Sequence, residues 1–198
     1  MIARRVLPVV LLLTLALPSP AFAATSQVTI GDPFFDPTTL NVKLGDSVLW
    51  LNTGNAVHTT RADFPLLLWN SPPMSAGQNF TYTFTAAGIY PYRCQFHPVL
   101  MRGNIGLADV VLPKHGPAGT QFTITVATID APAGFVYDIQ MKVPGGTFTD
   151  WMLGVTTASV TFDSTGMAAG TYSFHSRLDR LSDGSSSLYS PPKSITIG

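Results

Sequence analysis

The chain has 198 residues, enough for one large domain or for two of roughly 90 residues that each bury a core. Lys plus Arg equals Asp plus Glu at 11 each, every acid is Asp, and charged residues make up only 11% of the chain. This balance offers no basic face to nucleic acid and no acidic tail, so no nucleic-acid partner is expected.

The chain opens on an export signal. Arg4 and Arg5 precede an apolar run over residues 6–17, Pro18 and Pro20 close it, and Ala21-Phe22-Ala23 is a small-x-small cleavage motif before Ala24. The run is shorter than the roughly 20 residues that a bilayer span needs, and no Cys follows the motif to take a lipid. Residues 1–23 are therefore expected to be a cleaved signal peptide, leaving a periplasmic or secreted protein with no membrane span. Nine Lys and Arg then face eleven Asp, which makes the exported protein mildly acidic.

After the signal, short alternating apolar segments are separated by Gly, Pro, Asn and Asp, and none sustains a helical period over a dozen residues. Strands are predicted over residues 28–30, 40–43, 47–51, 79–84, 89–94 and 105–111, with turns at Gly31-Asp32-Pro33, Gly45-Asp46, Ala76-Gly77 and Ala87-Gly88. Residues 61–73, with Leu66-Leu67-Leu68-Trp69 inside, read as a short helical turn or a covering loop. Residues 114–117, flanked by Pro113 and ending in Pro117, read as a linker. The strand pattern restarts over 122–126, 136–141, 159–162, 170–178 and 194–197. The expected architecture is all-β: two β-sandwich domains in series over residues 24–113 and 118–198.

Cys94 is the only cysteine, and exported thiols usually pair, so a single one is buried and inert, reactive, or a metal ligand. Its neighbours select the last. In Tyr90-Pro91-Tyr92-Arg93-Cys94-Gln95-Phe96-His97-Pro98-Val99-Leu100-Met101-Arg102-Gly103, a thiolate, an imidazole and a thioether share the end of a strand and the loop after it. His58 follows the strand that ends near Leu51. If the two loops open at the same end of a sandwich, His58 completes a trigonal set of two His and one Cys with Met101 as a weak axial ligand. Thiolate and thioether favour Cu(I), imidazole accepts Cu(II), and a three-plus-one geometry serves both. Zinc prefers more thiolates or a fully tetrahedral set. Pro98, Val99 and Leu100 lie between two candidate ligands and are expected to form an apolar collar beside His97, where a redox protein docks by a transient contact.

These residues resemble the cupredoxins, of the amicyanin and plastocyanin type. The resemblance runs from residue 25 to about 113. It rests on the strand run before His58, on Tyr82-Thr83-Phe84 and Gly88-Ile89-Tyr90, and on the Cys-x-x-His loop with its Met followed by Gly103 and Ile105. It implies a blue copper electron carrier on a Greek-key sandwich, with one copper ion held by His58, Cys94, His97 and Met101. The loop from His97 to Met101 has three intervening residues, between the two of amicyanin-like and the four of plastocyanin-like loops. Thr59 stands where plastocyanins place an Asn that supports the Cys sulfur.

Residues 118–198 offer no comparable cluster. Gly170-Thr171-Tyr172-Ser173-Phe174 and Tyr189-Ser190-Pro191-Pro192 resemble fibronectin type III or related immunoglobulin-like modules, with Tyr172 as a tyrosine-corner residue. A spacer, a module that docks another protein and a dimerisation surface are the roles open to such a domain. His115 and His175 are expected to be structural, Met74 to sit in a loop, and Trp50, Trp69, Phe84, Tyr90 and Tyr92 to be core aromatics. The leading function is single-electron transfer without enzymatic activity, because a substrate copper centre needs further His clusters. A copper chaperone or storage protein, and an interaction protein with a vestigial copper site, are the alternatives.

Overall fold

The computed structural model describes residues 23–63 and 66–198, so the expected signal lies outside the described residues except for Ala23. No helix occurs among the described residues, and the fold is all-β. The first sandwich comprises β1 (Thr25–Gly31), β2 (Phe34–Asp36), β3 (Thr39–Val42), β4 (Ser47–Asn52), β5 (Arg61–Ala62), β6 (Asn79–Thr83), β7 (Gly88–Arg93) and β8 (Arg102–Leu107). One sheet has the order β2-β1-β4-β6 and the facing sheet β3-β8-β7-β5. β1 runs parallel to β4 from Thr25 opposite Ser47 to Ile30 opposite Asn52, and β3 runs parallel to β8.

Period-two alternation fills the space between the sheets. On β4 it turns Val48, Trp50 and Asn52 inward, and on β7 it turns Tyr90 and Tyr92 inward. The same alternation carries one step past β7 and buries Cys94. Trp50 lies edge-on to Tyr92 at 5.5 Å between centroids and 5.6 Å from Trp69, which contacts Phe84 edge-on at 5.3 Å. Each such pair contributes about 0.5–1.5 kcal/mol beyond the area it buries. The five expected core aromatics are all buried.

The second sandwich comprises β9 (Val110–Leu112), β10 (His115–Gly116), β11 (Gln121–Thr125), β12 (Phe135–Lys142), β13 (Phe148–Val155), β14 (Ser159–Asp163), β15 (Gly170–Arg180) and β16 (Lys193–Ile197). Its sheets have the orders β14-β11-β9 and β10-β16-β15-β12-β13. The single strand expected over residues 105–111 is divided at Ala108-Asp109. The chain changes sandwich there, because β8 pairs with β7 whereas β9 pairs with β11. Residues 115–116, inside the expected linker, pair with β16. The stretch 61–73 supplies β5 and a cover that buries Leu66 and Trp69, with Leu67 N donating to Asp63 O at 3.4 Å.

Backbone hydrogen bonds join the two halves. Ile89 and Leu188 exchange both N–H···O bonds at 3.0 Å, Ala87 N donates to Val126 O at 2.8 Å, and Thr128 N donates to Thr85 O at 2.8 Å. Each half also ties a strand start with a tyrosine hydroxyl: Tyr90 donates to Ala86 O at 2.8 Å and Tyr172 to Ala168 O at 3.0 Å.

Candidate metal centre

β4 and β7 lie in different sheets but end at the same pole, where their following loops meet. Buried Asn52 at the end of β4 organises the first loop: its amide donates to Ala56 O and Met74 O, both at 2.8 Å, and its carbonyl oxygen accepts from Gly54 N at 3.0 Å. His58 is clamped by an antiparallel bridge, donating from N to Met74 O at 3.1 Å and accepting from Met74 N at 2.8 Å. Met74, expected in a loop, is thus a buried partner of the His58 backbone. In the second loop Cys94 N donates to Met101 O at 3.1 Å and Met101 N donates to His97 O at 2.9 Å. Three intervening residues let the loop close as a single hydrogen-bonded turn from His97 to Met101.

His58, Cys94 and His97 converge, with their donor atoms all within 4.8 Å of one another. Cys94 Sγ lies 3.8 Å from Nδ1 of His58 and 3.8 Å from Nδ1 of His97. Sulfur and imidazole nitrogen bound to one ion at about 2.3 and 2.0 Å with a trigonal angle stand about 3.7 Å apart, so the donor set fits a single metal ion. Met101 is fully buried on the same loop, with its backbone bonded to both Cys94 and His97. His58 and Cys94 are fully buried, whereas His97 is partly exposed.

Burial raises the Cys94 thiol, but the Thr59 N–H and the two imidazoles outweigh it and bring its pKa down to about 6. Thr59 N lies 3.4 Å from Cys94 Sγ and its Oγ1 3.8 Å, while Oγ1 accepts from Gln95 N at 2.8 Å. Thr59 thereby holds both the sulfur and the backbone that follows it. Thr59→Val is expected to leave the Gln95 amide without this acceptor and to cost about 1–2 kcal/mol in urea unfolding of the metal-free protein. Thr59→Ser should recover most of the loss, and a Val variant as stable as the parent would contradict this role.

A residue without an anticipated role completes the site. Asp32 Oδ1 lies 2.6 Å from His58 Nε2, and its Oδ2 accepts from Asn55 N at 2.6 Å and from Ala56 N at 3.3 Å. The bonds to His58 and Asn55 hold the Asp32 carboxyl below the usual carboxylate range. A proton on Nε2 directed at Asp32 leaves Nδ1 of His58 free to face Cys94, which fixes the tautomer. Gly54 makes room for this contact, because a Cβ there would run into the Asp32 carboxylate. A buried His with one ring nitrogen turned to a thiol needs a partner for the other, and that requirement was the available signal for Asp32.

The expected collar beside His97 is exposed, with Val99 at 78% and Leu100 at 72% of their full surface and Pro98 also exposed, and Phe96, outside that expectation, adds a further exposed apolar side chain. His175 lies far along the chain in β15, stacked between Phe148 at 3.8 Å and Tyr189 at 4.4 Å and bonded to Gln140 at 2.8 Å. It has a structural place, as expected.

A two-sheet sandwich with one thiol and two imidazoles gathered at a pole defines a small β-domain built around a soft-donor cluster. Residues 23–108 match the family of copper binding proteins of plastocyanin/azurin type. Amicyanin of Paracoccus denitrificans is 35% identical over 81 residues, which cover 39% of this chain and 61% of that protein's length. Among solved structures, a purple cupredoxin from Nitrosopumilus maritimus is 28% identical, with a TM-score of 0.39 over 41% of this chain and 98% of its own. An oxidised amicyanin mutant is 33% identical, with a TM-score of 0.39 over 41% of this chain and 79% of its own. The family match is confined to the first sandwich and its junction with the second.

Proposed function

We propose that this domain holds one copper ion through His58, Cys94 and His97, with Met101 as the weak axial ligand, and passes single electrons between redox proteins outside the cytoplasm. The observation that carries the reading is the equal 3.8 Å separation of Cys94 Sγ from the two imidazole nitrogens, in a pole closed to water at Cys94 and His58. When bound, copper supplies a one-electron couple that thiolate and thioether favour as Cu(I) and imidazole accepts as Cu(II). The protein's part is to keep the donors in one arrangement for both states. Asn52 and the Met74 bridge fix His58, the Met101–His97 turn fixes the second loop, and Thr59 ties the loops together at the sulfur.

His97 is the ligand with an edge toward solvent, so its imidazole is the shortest way in for an electron. The apolar collar excludes water around that edge in an encounter complex and lets the partner leave quickly, because the contact is small. Fully buried His58 opposes the metal exchange that a chaperone or storage protein needs. The first sandwich carries the site, and the second, which begins at β9, serves as an attached module.

Adding one equivalent of Cu(II) to the metal-free protein is expected to give an intense visible thiolate-to-copper band that vanishes on reduction and is absent in Cys94→Ala. A colourless protein with readily exchanged copper would refute electron transfer and leave the chaperone reading.

A further inference from the structure

At the pole opposite the soft-donor cluster, the carboxylate of Asp46 is 8% exposed. It accepts two backbone N–H groups, from Ala24 at 2.8 Å on Oδ1 and from Lys43 at 3.0 Å on Oδ2. Among the described residues no Lys, Arg or His nitrogen lies within 4.0 Å of it. Lys43, Lys193 and Asp109 are the other charged residues lining the groove of about 770 Å³ that Asp46 borders. A carboxylate withdrawn from water with two amide partners and no cation is under-compensated.

Ala24 is the residue that follows the Ala21-Phe22-Ala23 motif. It is also where the sheet begins: Ser47 N donates to Ala24 O at 2.9 Å, and the parallel register with β4 starts at the next residue, Thr25 opposite Ser47. Hydrolysis of the Ala23–Ala24 bond by an export-pathway endopeptidase adds water across the peptide, leaving a carboxylate on Ala23 and an ammonium on Ala24. That ammonium would arise 2.8 Å from Asp46 Oδ1.

We propose that Asp46 is the receptor for the amino terminus created by cleavage between Ala23 and Ala24, and that the missing counter-charge of this buried carboxylate is supplied by processing itself. The amide bond seen in the uncut chain becomes a charge-assisted ion pair at the same atoms. Because Ala24 is exposed, the other ammonium hydrogens reach water. The strand edge is already hydrogen-bonded in the uncut chain, and cleavage adds the ion pair to it, so the mature form is the more stable one.

The test starts with the protein recovered after export from cells expressing the full chain, whose first residue should be Ala24; any other start overturns the proposal. The metal-free mature protein with a free amine is then compared with the Nα-acetylated form, each with Asp46 and with Asp46→Asn. Acetylation is expected to lower the folding equilibrium constant about tenfold with Asp46 and to have no effect with Asn. An equal effect in both backgrounds, or none in either, overturns it. Should Asp46→Asn not fold, the α-amine pKa measured by NMR in the parent decides. A value at least one pH unit above the ordinary 7.7–8.0 is expected, and the ordinary value overturns the proposal. These readouts need no copper, so they stand or fall separately from the electron-transfer reading.

Discussion

Between pH 4 and 7 the metal-free protein is expected to lose up to about 4 kcal/mol of stability through Asp109 alone, and Asp109→Asn should abolish that component. Asp109 follows β8 at the point where the chain changes sandwich, and it is 1% exposed. Its Oδ1 accepts the Ser176 hydroxyl from β15, while Oδ2 has no hydrogen-bond partner. Burial raises its pKa from the ordinary 3.8 to about 7, against the opposing bonds from Ser176 and Ser190. The unfolded chain therefore gives up this proton near pH 4, while the folded protein keeps it until about pH 7. A raised acid pKa leaves stability undiminished below the unfolded value and removes it progressively as pH rises to the folded value, with the full loss above. Asn is neutral throughout, presents the same acceptor to Ser176, and is free of the desolvated charge. Urea unfolding of parent and variant from pH 4 to 8 checks this. The difference between them should grow in favour of Asn as pH rises, and parallel curves would mean that Asp109 does not titrate between the folded and unfolded states in this range.

Asp109 also shows what the sequence could and could not tell. A charged residue in the middle of the apolar run from Ile105 to Val111 marks the break between β8 and β9, but alternation alone reads straight through it. The strands β4, β7 and β11 were legible because their burial alternates with period two, and the turns between strands because Gly and Pro mark them. In β12 and β15 burial does not alternate strictly, but apolar residues still recur at alternate positions. The strands β2, β5 and β10 have two or three residues each, too few to show a period. β13 is longer, but it lies at a sheet edge, its burial does not alternate, and its register against β12 shifts twice, so no pattern survives in Trp151-Met152-Leu153-Gly154. At the candidate metal centre, the convergence of Cys94 and His97 was legible because they share one loop, and Met101 is buried on that loop. His58 lies 36 residues from Cys94 and needed the assumption that two loops open at one pole. Asp32, 26 residues before His58, was read as part of a Gly-Asp-Pro turn, and only the closed sandwich brings the turn against the imidazole.

Asp32→Asn is expected to weaken Cu(II) binding about 10–100-fold and to raise the reduction potential, while the fold and the visible band persist. The contact at issue is the 2.6 Å bond between Asp32 Oδ1 and His58 Nε2. A carboxylate behind a ligand imidazole makes that imidazole a stronger donor, and its negative charge favours the more highly charged oxidation state. Asn keeps an acceptor for the Nε2 proton, so the tautomer and the ring position are retained and the charge alone is removed. Asp32→Ala removes both and also takes the shared acceptor from the Asn55 and Ala56 amides, so it should disorder the first loop as well. The two variants therefore separate charge from positioning. If Asn weakens Cu(II) tenfold more than Cu(I), the potential rises by about 59 mV for this one-electron couple. Because Asp32 is partly exposed, the effect should shrink as salt is added. The metal-free protein supplies an independent readout: nitrogen NMR should place the His58 proton on Nε2 in the parent and in Asp32→Asn, and should show mixed tautomers in Asp32→Ala. A potential unchanged in Asp32→Asn, together with an unaltered tautomer in Asp32→Ala, would reduce Asp32 to a loop cap for Asn55 and Ala56.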